Sequence, residues 1–149
     1  MKVVINRCYG GFGLSPLAVQ RVAELRGVPC YFFEHQFTDN RLLPITIEQC
    51  KDCWLAYSVP DPYHGMAAWS RMTTEERAAA NKYIESVAIT NRPTDRADPL
   101  LVKVVEELGS EASGEFAALR VVEIPDGVDW EIDDYDGMET IREKSCSWC

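Results

Sequence analysis

Apolar and polar positions change their spacing several times along the chain, and each change marks an element. Residues 2–27, KVVINRCYGGFGLSPLAVQRVAELRG, read as strand, glycine turn and helix. Val3, Val4 and Ile5 are β-branched and apolar, which suits a buried strand over 2–7. Ser15 is placed to cap a helix, and Pro16 falls in its first turn, where proline is accepted. Leu17, Val19, Val22, Ala23 and Leu25 give that helix an apolar face, and Gly27 stops it. VPCYFFE predicts a second strand over 28–34. Residues 35–72 have no clear period and read as an irregular excursion, with short helical pieces expected near Cys50–Ala56 and Ala67–Arg71.

Periodicity returns at Thr73-Thr-Glu-Glu76, which has the form of a capping box and predicts a helix over about 74–82. YIESVAI predicts a strand at 83–89. Asn91–Asp98 is a polar loop whose last residue caps a helix over PLLVKVVEEL, with Leu100, Leu101, Val104, Val105 and Leu108 as its stripe. LRVVEI centres a strand over 117–124, Pro125-Asp-Gly127 turns the chain, and VDWEI starts a partner strand over 128–133. So short a turn implies an antiparallel hairpin. The expectation is a single α+β domain over 1–149, with a mixed or antiparallel sheet of about five strands, about three helices and a C-terminal β-hairpin.

Composition narrows the function. Hydrophobic residues make up 46% and charged ones 26%, the balance of a globular protein. No apolar run reaches the length of a membrane span and no signal segment precedes the first strand, so a cytoplasmic location is expected. A net charge of −9 argues against general nucleic-acid binding, which needs a positive surface. It leaves room for one small phosphate ligand, because ten Arg stand beside five Lys and Arg makes the better phosphate fork. Eight acids fall between Glu123 and Glu139 with no base among them, and read as a solvated edge hairpin kept apart by charge.

The glycine turn leaves two readings open. One is a purely structural strand-to-helix turn. The other is an anion site at a helix N-terminus, with Arg7 supplying donors, Gly11 allowing close approach and Phe12 stacking on a base. The spacing is neither G-x-G-x-x-G nor a P-loop. Cys50-Lys-Asp-Cys53 and Cys146-Ser-Trp-Cys149 each have the spacing of half a zinc site, but the segment between them is far longer than in zinc fingers. Reduced thiols are the favoured reading over a shared four-cysteine site, and no metal or cofactor is expected. His35 and His64 have no partner at metal-ligand spacing, and no nucleophile, base and orienting group can be assembled.

Three blocks carry a likeness: INRCYGGFGLS at 5–15, RADPLLVKVVEELGSEASGEFAALRVVEIPDGVDWEI at 96–132, and DDYDGMETI at 133–141. In these the chain resembles small phage and prophage proteins, and within them the first Thoeris anti-defence family. The resemblance implies a non-enzymatic oligomeric sponge acting in the host cell. Such a sponge holds cyclic nucleotide-derived immune signals, including cyclic ADP-ribose isomers. A phage enzyme acting on a nucleotide or sugar phosphate, and a phage interaction or structural protein, remain the alternatives. A sponge needs cationic forks, a flat apolar surface and amides. The residue types and their places nominate Arg7, Gly11 and Phe12 in the glycine loop, Asn91, Arg92 and Arg96 before the third helix, and Arg120 on a strand. Sharing of pocket walls between subunits makes a homo-oligomer the expected state.

Overall fold

The computed structural model describes residues 1–36, 41–63 and 71–144. In chain order the elements are β1 (Lys2–Asn6), α1 (Pro16–Leu25), β2 (Tyr31–Gln36), β3 (Arg41–Ile45), β4 (Trp54–Tyr57), α2 (Thr74–Val87), β5 (Ala88–Ile89), α3 (Pro99–Leu108), β6 (Leu119–Glu123), β7 (Trp130–Tyr135) and β8 (Met138–Glu143). The fold is α+β. Among the described residues its strands form three open sheets, β1-β6, β3-β2-β4-β5 and β7-β8, and every pairing is antiparallel. The chain divides into two compact units, one built from Met1–Arg26 and the chain from Asn91 onward, the other from Gly27–Thr90.

The first unit forms around β1. Val3, Val4, Ile5 and Asn6 are all buried, so both faces of this short strand are covered. Its register with β6 sets Val4 opposite Val121 and Val3 opposite Val122, pairs of β-branched side chains that fit the pleat. α1 and α3 pack on each other, and α3 also packs on β1 and β6. The buried faces are Ala18, Val19, Val22 and Ala23 on α1 and Leu101, Val102, Val104 and Val105 on α3. Each fully buried Val or Leu contributes about 1.5–3 kcal/mol. Both helices start as their sequences predict. The Ser15 hydroxyl accepts from the Ala18 N–H at 3.1 Å, the Asp98 carboxylate accepts from the Leu100 N–H at 3.0 Å, and a proline follows each cap.

The second unit is the four-stranded sheet with α2. Phe32 meets Trp54 edge-on at 5.8 Å, and Phe33 meets Tyr57 at 5.7 Å, which knits β2 to β4. Here the periodic reading needs correction. The stretch 83–89 is not a strand: α2 runs on to Val87 and only Ala88–Ile89 is extended. Ala80, Tyr83, Ile84 and Val87 recur at helical spacing and are the less exposed positions, so the helix period wins over the β-branched composition. The excursion at 35–72 holds β3 and β4, and Trp54–Tyr57 is strand where a helical piece was expected. Among the described residues of the excursion, a 3₁₀ turn lies at Ile47–Gln49, and Arg71 is also in 3₁₀ conformation. Pro44 masked β3, but β3 lies at the sheet edge, where a missing N–H is harmless. Of the expected helix at 67–71, residues 67–70 lie outside the described residues, as do His64, Cys146 and Cys149.

The C-terminal hairpin exists, but its strands are not the two expected. β6 pairs with β1, while β7 pairs with β8, a strand the pattern did not reveal. The cause lies in two Asp-Gly pairs. At Asp136-Gly137 both residues are left-handed, with φ of 52° and 89°, and Tyr135 stands opposite Met138 across a two-residue turn. At Asp126-Gly127 only the glycine is left-handed, at 79°, so the chain leaves β6 without folding back on it. Gly137 is doubly constrained: a Cβ there would lie 2.5 Å from the Tyr9 carbonyl oxygen and 2.6 Å from the Gly11 nitrogen. Gly137→Ala is therefore expected to cost about 2–4 kcal/mol, read by chemical denaturation. Gly127→Ala, where a Cβ meets nothing within 4 Å, should cost less than half of that.

Candidate functional site

At the end of β1 three loops converge. Asn6 is completely buried and works as a junction. Its Nδ2 donates to the carbonyls of Cys8 at 2.6 Å and Gly137 at 2.7 Å, and its Oδ1 accepts from the Ala118 N–H at 2.9 Å. One amide thus ties the glycine loop, the β7–β8 turn and the approach to β6. The Asn6 backbone N–H donates to Oε2 of Glu139 at 2.9 Å. Glu139 in turn takes a two-pronged salt bridge from Arg96, with Nη1 to Oε2 at 2.8 Å and Nη2 to Oε1 at 3.0 Å. The third guanidinium nitrogen of Arg96, Nε, donates to the Pro93 carbonyl at 3.0 Å. The guanidinium lies 3.5 Å from the centre of the Phe12 ring, so the cation is sandwiched between a carboxylate and an aromatic face. Side-chain exposure is 15% for Arg96 and 5% for Glu139, so this is a buried ion pair with its geometry completed.

This geometry reassigns several residues singled out in the sequence. Arg7, Gly11, Phe12 and Arg96 do meet here, but they meet each other and the hairpin. Phe12 is not at an exposed loop tip: it is 6% exposed and capped by Arg96, so its ring is not open to a base. Each guanidinium nitrogen of Arg96 already has a protein acceptor. Gly11 lies against Gly137, and the Asn91 carbonyl accepts from the Leu14 N–H at 2.9 Å. Arg7 differs. Its Nη1 donates to the Glu139 carbonyl at 3.0 Å, yet the residue is exposed. It is a cation held at one corner and facing solvent. Arg92 and Arg120 are also exposed; Arg120 sits on β6 opposite Ile5.

The acidic run needs correction at one position. Asp133, Asp134 and Asp136 are exposed, but Glu139 is 4% exposed and belongs to the core. Nothing local in the sequence separates Glu139 from its acidic neighbours, because its partner lies 43 residues away. Three aromatic residues escaped notice too. Tyr9, Phe116 and Tyr135 are 59%, 67% and 78% exposed. Each adjoins a glycine or an acid, but so does buried Phe12, so nothing local in the sequence marks these three as exposed. Gly10 admits the Phe116 backbone so closely that any Cβ at position 10 would collide with it.

Elsewhere, an open groove of about 690 Å³ runs along α3, lined by Met1, Lys2, Ala97, Pro99, Val102, Lys103, Glu106 and Glu107. Its charges are mixed, and Lys2 pairs with Glu106 at 2.8 Å. In the second unit Cys50 and Cys53 carry no disulfide, and no group of three metal-ligating side chains gathers among the described residues. Burial, with Cys50 nearby, pushes the Cys30 thiol up to about 11, and burial also raises Cys50. Comparison of the chain with protein-family models, with curated proteins and with solved structures gives no match in any of the three.

Two measurements check this description. Glu139→Ala leaves the largely enclosed Arg96 without its carboxylate and is expected to cost about 3 kcal/mol in denaturant unfolding. Replacing both partners by leucine should cost less than the sum of the single changes. In alkylation at mildly alkaline pH, followed by peptide mass spectrometry, exposed Cys53 should react well before Cys30, whose thiolate is scarce below about 11.

Proposed function

We propose that this protein is a non-enzymatic anti-defence protein of phage type. In this reading it binds and sequesters a cyclic nucleotide-derived signal, such as a cyclic ADP-ribose isomer, in the host cytoplasm as a homo-oligomer. The observation that carries the reading is the contrast between the committed hub and tethered Arg7. Glu139, the buried carboxylate of the loop cluster, and the Asn6 amide beside it are both spent on protein partners. Arg7 stands beside them as an exposed cation, anchored by one bond that lowers the cost of ordering it on binding. On a chain of net charge −9, a fixed arginine at a glycine loop favours one small anion over a polyanion. The blocks that carry the family resemblance include this loop, the Arg96 segment and the hairpin strand bearing Glu139.

The exposed acids of the β7–β8 hairpin favour a second reading, an interaction with a basic protein.

The deciding experiment is purification from cells making cyclic nucleotide signals, then denaturation and mass spectrometry of what is released. A sponge returns the signal unchanged and in stoichiometric amount. A converted product would establish an enzyme, and no small molecule would overturn the reading. Arg7→Ala should weaken binding roughly ten- to a hundredfold with little change in unfolding temperature, and Arg7→Lys should restore only part of it. Arg96→Ala should instead lower the unfolding temperature markedly, because it breaks the largely buried pair.

A further inference from the structure

The three most exposed large hydrophobic side chains among the described residues are all aromatic: Tyr9, Phe116 and Tyr135. They come from three separate segments, and those segments meet. Gly10, next to Tyr9, is in backbone contact with Phe116. Gly137, at the turn that follows Tyr135, is in backbone contact with Tyr9 and Gly11. Arg7, two residues before Tyr9, is fixed to the hairpin through the Glu139 carbonyl. The loops beneath are tied to one another by the Asn6 amide and the Arg96–Glu139 pair. Exposed aromatic area is unfavourable in water, and fold stability gains nothing from it here. Exposed rings on adjoining backbone segments, with an exposed arginine two residues from one of them, are the groups that a flat anionic ligand requires.

We infer that Tyr9, Phe116 and Tyr135, with Arg7, form an aromatic rim around the glycine loop that stacks a nucleobase while Arg7 holds its phosphate. The inference rests on the nucleotide-binding reading above and gives that ligand a seat. Stacking tolerates any base, since every base presents a π-face, so the rim confers a preference for nucleotides over sugar phosphates rather than a choice among bases. The rim calls for a nucleotide with at least one accessible base, and the sequestration reading makes it a small cyclic one.

The test is calorimetry with cyclic ADP-ribose and with a cyclic dinucleotide, ribose 5-phosphate serving as the base-free control. It uses the full chain and its Tyr9→Ala, Phe116→Ala and Tyr135→Ala variants, with the mass of each variant followed by light scattering. Because the side chains are exposed, all three variants should unfold at the temperature of the parent. Each is expected to lose about five- to a hundredfold in affinity for a bound cyclic nucleotide. Tyr9→Phe should bind as the parent does, since the ring is kept, and ribose 5-phosphate should bind far more weakly. If the parent binds and the three alanine variants bind equally well, the rim is not the seat, while the sequestration reading stands. If the parent binds neither nucleotide, both readings fall. If the alanine variants dissociate to single chains with binding intact, the rim is a contact between copies and the inference is overturned.

Discussion

The first unit depends on the fork between Arg96 and Glu139. Taking two charges out of water costs several kcal/mol for each ion, and attraction alone repays this only when every remaining donor and acceptor is met. Here they are met. The carboxylate accepts both guanidinium prongs and the Asn6 N–H, the third guanidinium nitrogen reaches Pro93, and Phe12 closes the apolar side. Among the described residues no buried side-chain nitrogen or oxygen lacks a partner. Such a pair adds modest net stability but strong specificity. A misplaced loop would leave an unpaired charge in the interior, so the 91–98 segment, the glycine loop and β8 have one way to come together.

That constraint explains why a stretch with Gly10, Gly11 and Gly13 is not slack. Glycine costs chain entropy, yet at Gly10 and Gly137 the missing side chain is what lets backbones touch. Contact, together with the Asn6 amide, replaces the stiffness that side chains would have given. Function on loops normally trades precision for freedom, and here the loops are braced from below by a strand buried on both faces.

Much of this architecture is legible in the sequence where local signals agree. Ser15-Pro16 and Asp98-Pro99 announced two helices, because cap, proline and apolar stripe reinforce one another. β1 and β6 were visible as β-branched runs. The misses share a cause: the deciding partner is distant. β3 and β4 are short, and their identity comes from pairing with β2. The end of α2 hinged on which period a run of three apolar residues follows. The hairpin's true strands turned on whether Asp126 or Asp136 goes left-handed, which nearby composition alone does not decide. Phe12 and Arg96 were singled out for ligand chemistry on residue type. Their partnership, and that of Glu139, needed three loops in space.

The first unit is discontinuous: its opening segment, Met1–Arg26, is separated from the rest by the whole of Gly27–Thr90. The junction at Asn6 reaches Gly137 and Glu139, 131 and 133 residues downstream. A chain leaving the ribosome therefore presents Val3, Val4 and Ile5 long before β6 or β8 has been made. The second unit is contiguous and can close on itself during that interval, while β1 waits as an unpaired apolar strand. Large loop separation slows closure only logarithmically in free energy, but on the ribosome the delay is set by elongation. Premature termination anywhere before Glu139 thus yields a product whose most deeply buried strand has lost its lock. Such fragments belong with chaperones and proteases rather than with any partial activity.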